Sequence, residues 1–108
     1  MASKPDRDDA FHEEMLKVYR DARDLAGYRA TRFLQLVRRR GGVEAARHLL
    51  KARSKVSGGF EALWKAGRLD LSVEALVLHE RYTVLFDERE LQTARERLAK
   101  HGQHVPGS

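Results

Sequence analysis

Apolar side chains recur along this chain at spacings of three and four, the period of one face of an α-helix. The first such run is Phe11, Met15, Val18, Ala22 and Leu25, preceded by Asp8 and Asp9 and ended by Gly27. Opposite charges four apart, Glu13 with Lys17 and Arg20 with Asp24, support its outer side. A second helix is predicted from Arg29 to Arg40, with Ala30, Phe33, Leu34 and Val37 on one side. Gly41 follows, suited to the positive φ of a C-terminal cap. The third, Val43 to Arg53, sets Val43, Ala46, Leu49 and Leu50 against Glu44, Arg47, His48 and Lys51.

Ser54 to Gly59 reads as a loop and hinge, because paired glycine and serine sacrifice helix propensity without packing in return. Beyond it, Phe60, Leu63 and Trp64 predict a short helix closed by Gly67, and Ser72 a cap for a fifth helix with Val73, Leu76 and Val77 inward. Arg81 to Phe86 has strand-like composition but no second strand to pair with, so it reads as a connecting turn. Asp87 and Glu90 have the spacing of a capping box, with Phe86 and Leu91 in the hydrophobic-staple positions. Leu91, Ala94 and Leu98 give the last helix a narrow apolar stripe, which predicts a surface position up to Gly102. The expected fold is all-α: a compact bundle of five to six short helices forming one domain over residues 9–102, between a disordered N-terminus, 1–8, and a disordered tail, 103–108.

Composition narrows the class. In 108 residues, 42 % hydrophobic and 34 % charged, no apolar run approaches the length of a membrane span. The acid-bearing N-terminus lacks the apolar core of a secretory signal, and the absence of cysteine removes disulfides, thiolate zinc sites and thiol nucleophiles. A cytoplasmic protein is expected. Its net charge of +5 is unevenly placed: residues 17–55 hold twelve basic and three acidic groups, residues 1–16 two and five, and residues 56–108 seven and eight. Such a concentration is the electrostatic footprint of a polyanion partner.

Candidate catalytic chemistry is thin. His12-Glu13-Glu14 lacks the second histidine of a zinc-protease pair, His79-Glu80 stands alone, and His101 and His104 straddle a helix end and a tail. The five histidines are therefore assigned to solvated surface. The glycine pairs at 41–42 and 58–59 follow no strand and lack a P-loop lysine. No enzyme activity, cofactor or metal is expected.

The basic cluster is the one feature that suggests a mechanism. At 100° per residue, Thr31, Arg32, Gln35, Arg38 and Arg39 fall opposite the apolar side of the second helix, with Arg29 and Arg40 at its edge. Arg47, Lys51, Arg53 and Lys55 continue the charge. Guanidinium groups bind phosphate bidentately, so these nine residues are the candidate contacts to DNA or RNA backbone. Fifteen arginines against six lysines in the whole chain is also what a general compositional bias would produce on a solvated face. Gly41 to Leu50 looks like the first half of a helix-turn-helix, but Phe60, Leu63 and Trp64 in the next helix are core residues rather than base readers. Met15, Phe33 and Phe86 are assigned to the same core. The alternative function is a protein-interaction or self-associating module, in which Leu16 and the Leu91/Leu98 stripe meet a partner or a second copy.

The segments Gly27-Tyr28-Arg29-Ala30-Thr31-Arg32-Phe33-Leu34-Gln35, Gly41 to Ala46, Gly58 to Trp64 and Gly67 to Glu74 resemble a small bacterial domain of uncharacterised function. Such domains occur alone or appended to nuclease-like and other proteins. The likeness runs over residues 10–102 and implies a self-contained helical module in a nucleic-acid setting. It assigns no functional residue.

Overall fold

A computed structural model of the chain describes residues 6–51 and 56–102. Among these residues six helices follow one another: α1 (Arg7–Ala26), α2 (Thr31–Arg40), α3 (Gly42–Lys51), α4 (Gly58–Lys65), α5 (Val73–Val77) and α6 (Glu88–Lys100). Single 3-10 turns at Leu69–Leu71 and Thr83–Leu85 lead into α5 and α6. The described residues contain no strand, and the all-α expectation holds. None of these helices is long and apolar enough to cross a membrane.

The α1 helix starts earlier than its apolar run suggests. Asp6 is the N-cap, its carboxylate accepting the Asp9 amide at 2.8 Å. Asp8 and Asp9 thus lie inside the first turn, where the helix dipole favours acids, and residues 7 and 8 belong to the helix rather than to a disordered end. Gly27, at φ +64°, ends it, and the Tyr28 amide reaches back to the Ala22 carbonyl. Only Gly41, at φ +84°, separates α2 from α3.

Gly42 has a different task. It is buried in the first turn of α3 with its amide donating to His12 Nδ1 at 2.9 Å, and a Cβ there would lie 2.6 Å from the His12 Cα. The missing side chain lets α3 close onto the backbone of α1. His12, expected on the surface, instead satisfies an amide that the start of α3 would leave unpaired. Gly42→Ala is expected to cost about 1–3 kcal/mol through overpacking, read by urea unfolding; an unchanged midpoint would show that the two helices can separate freely.

The expected loop at 54–59 is corrected where it is described; Ser54 and Lys55 lie outside the described residues. Ser57 accepts the Phe60 amide at 3.1 Å and caps α4, so Gly58 and Gly59 form its first helical turn instead of a hinge. Later caps follow the sequence pattern. Ser72 accepts the Ala75 amide and donates to the Leu69 carbonyl. Asp87 and Glu90 exchange capping-box bonds of 2.8 and 2.9 Å, flanked by buried Phe86 and Leu91.

Phe11 and Met15 of α1 sit at the centre of the core among Val37, Leu50, Phe60, Val77 and Leu98. Tyr82 and Phe86 meet the Phe11 ring edge-on at 5.2 and 5.3 Å. This arrangement overturns four sequence expectations. The α6 helix lies on the surface as expected, with Glu88, Arg89, Gln92, Glu96 and Lys100 exposed, but Leu91, Ala94 and Leu98 are covered by the chain itself, leaving no stripe for a partner. Leu16 likewise packs against the core. Trp64 is 46 % exposed, since the eight-residue α4 buries one side only, through Phe60 and Leu63; its ring meets His101 at the rim instead. Leu25, expected inward, shares a shallow depression with Tyr28, Ala62 and Ala66.

Candidate functional site

Of the nine basic residues singled out in the sequence, Arg29, Arg32, Arg38, Arg39, Arg40 and Lys51 are exposed and form no ion pair among the described residues. Their isolation has a simple origin. Between Asp24 and Glu61 the chain has one carboxylate, Glu44, and Arg47 takes it at 3.2 Å. Arg38, Arg39 and Arg40 occupy the last turn of α2, where the negative end of the helix dipole also favours them.

Arg47 does not belong to this group. Its Nη2 donates to the Leu85 carbonyl at 2.7 Å and its Nε approaches Glu90 at 3.9 Å, so it ties α3 to the turn before α6. The guanidinium turns inward because the 3-10 turn leaves the Leu85 carbonyl within its reach. Arg53 and Lys55 lie outside the described residues.

Tertiary structure divides the remaining cations. Arg40 borders a depression that also holds Asp8, Asp9 and Glu44, so its field is partly offset. Arg29, Arg32 and Arg39 instead line a cleft of about 750 Å³ enclosed by α1, α2, α3 and α4. Arg32, Gln35, Leu36 and Arg39 recur at i, i+3, i+4 and i+7, which puts an apolar wall between two cations on one face of α2. Phe60, Leu63 and Val73 contribute buried apolar side chains, and His48 and Ser57 add polar groups.

Glu74 is the only acidic residue lining this cleft among the described residues, and it is not available to offset the arginines. Its Oε2 accepts from Arg97 Nη1 at 2.9 Å, and Arg97 also donates to the Leu49 carbonyl at 3.1 Å. The side chains are 4 % and 8 % exposed. Burial pushes the Glu74 carboxyl above its ordinary range, with the Arg97 hydrogen bond and charge opposing that shift. Sequence reasoning missed this pair, 23 residues apart, although both members stand on apolar faces: Glu74 beside Val73 and Val77, Arg97 beside Ala94 and Leu98. A charge in that register is the signal that could have found it.

The histidines divide too. His48 and His79 are exposed, as expected, while His101 is not free surface: Phe60 and Trp64 meet its ring at 4.9 and 4.8 Å, and its Nδ1 lies 2.8 Å from the Arg97 carbonyl oxygen. Among the described residues, no three histidine or carboxylate side chains are grouped as a metal would need. No protein-family model, no curated protein and no solved structure matches this chain.

Proposed function

We propose that this protein is a small non-catalytic cytoplasmic module that grips nucleic-acid backbone through the arginine face of α2, as an accessory to nucleic-acid-processing proteins of the bacterial setting that its sequence resembles. The observation that carries the reading is the set of six exposed cations, Arg29, Arg32, Arg38, Arg39, Arg40 and Lys51, on α2, its approach and the end of α3, with no carboxylate partner among the described residues. Phosphates would supply the missing counter-charge. Each phosphate neutralised adds about −0.9 to the slope of log affinity against log salt on duplex DNA and about −0.7 on a single strand.

Fluorescence anisotropy with labelled DNA and RNA across a salt series tests this. Binding is expected to weaken steeply with salt. The triple variant Arg32→Glu/Arg38→Glu/Arg39→Glu is expected to bind at least about tenfold more weakly while its circular dichroism stays that of the folded parent, with a modest loss of stability of about 0.3–1 kcal/mol for each acid placed at the negative end of α2. Full affinity in the folded triple variant would remove the α2 face as the contact surface.

A further inference from the structure

We infer that the cleft between α1, α2, α3 and α4 takes one unstacked nucleobase, so that the protein holds single-stranded nucleic acid in preference to duplex. This rests on the nucleic-acid reading above and adds the class of strand. Phosphate contact alone would need only cations on an open face. Here Arg29, Arg32 and Arg39 border a concavity of about 750 Å³, inside the roughly 300–1,000 Å³ range of small-molecule pockets and ample for a base with its sugar. Val18, Phe33, Leu36 and Leu49, each partly exposed, give it apolar walls, over a floor of buried Phe60, Leu63 and Val73. A base in a duplex is stacked and paired, and cannot enter. A base on a single strand offers a flat apolar face to cover and polar edges to satisfy, while its flanking phosphates stay outside.

The charge pattern selects this occupant. The one lining carboxylate among the described residues, Glu74, is bonded to Arg97, which leaves the mouth cationic. Gln35 stands between Arg32 and Arg39 in the register of α2, and Thr31, His48 and Ser57 complete a polar lining suited to base edges or sugar hydroxyls. An apolar site with a cationic border fits a ligand that is apolar at one end and anionic at the other, and a nucleotide within a strand has that form.

Three labelled oligomers test the inference by anisotropy at low salt: oligothymidylate, a fully abasic strand of the same length and charge, and a duplex of half that length, which carries about the same number of phosphates. Oligothymidylate is expected to bind roughly five- to a hundredfold more tightly than the abasic strand, the factor that stacking of one base supplies, and more tightly than the duplex. Equal affinity for all three would overturn the inference and leave backbone binding standing; binding to none would overturn both. Gly59→Leu gives an independent check, because Gly59 lines the cleft and, among the described residues, a Cβ there meets only the Ser57 Oγ, at 3.8 Å. Leucine suits a helical position better than glycine, so the variant is expected to fold at least as stably as the parent. It should lose the preference for the base-bearing strand and keep the affinity for the abasic one. A preference that survives in folded Gly59→Leu would show that the base does not sit in the cleft.

Discussion

Replacing Arg97 with methionine is expected to lower the unfolding free energy at neutral pH by about 3–5 kcal/mol, more than half the total stability of many domains of this size. The reason is the carboxylate left behind. Glu74, 3 % exposed, would retain a buried charge without its counter-ion, and the Leu49 carbonyl would lose a donor. The double variant Glu74→Leu/Arg97→Met removes both charges, and is expected to recover most of the loss, because replacing a whole buried pair by apolar groups is often neutral or stabilising. A single variant within about 1 kcal/mol of the parent, measured by urea unfolding, would mean that water reaches the pair.

The same pair predicts a pH dependence. Since burial raises the Glu74 carboxyl, the folded state holds that proton to higher pH than the unfolded chain does. Between the ordinary carboxylate range and the raised value, folding therefore takes up a proton. This contribution to stability is fully present below the unfolded pKa and is lost as pH rises through the folded one. Both opposing influences of Arg97 vanish in Arg97→Met, so the folded pKa moves further up and the window widens toward neutrality. The deficit relative to the parent should be largest at neutral pH and shrink as pH falls, while carboxylates common to both proteins cancel in the difference. A deficit constant from neutral to acidic pH would show that Glu74 does not titrate differently in the two proteins.

Phe11→Ala is expected to cost about 3–5 kcal/mol, the range for deleting a fully enclosed aromatic ring. Phe11 is completely buried, and the void would lie between Tyr82 and Phe86, on the segment that leads into α6. Relaxation there would disturb the start of α6, so near-ultraviolet circular dichroism of the tyrosines should change together with the loss of stability. Trp64→Ala, at the exposed rim, should cost much less despite the larger side chain. Equal losses would show that the core is not centred on Phe11.

Much of this could be read from the sequence wherever the cause was local. Gly27 and Gly41, at positive φ, end helices as their positions suggested, and Ser72 and the Asp87/Glu90 box start them. In each case the partner lies within a few residues, so spacing carries the information. Ser57 was missed, though its bond to the Phe60 amide is just as local, because the two glycines after it read as loop residues. Their helical geometry is held in part by packing, since a Cβ on Gly58 would overlap the Tyr28 hydroxyl.

The arginine face of α2 was legible for the same reason, since helix periodicity and the scarcity of acids between Asp24 and Glu61 are both properties of the chain. Its division was not. Arg47, Arg40 and Arg39 look alike along the sequence, yet one ties α3 to the turn before α6, one is offset by the acids of α1, and one lines a cleft. The class of fold, most of the helix ends and the excess of positive charge around α2 are settled along the chain, because they follow from side chains no more than about one helical turn apart and from composition. Tertiary structure alone decided that Glu74 and Arg97 meet in the interior, that Gly42 admits the backbone of α1, and that three arginines surround an apolar cleft, because each depends on residues from different helices whose approach is set by packing the whole core.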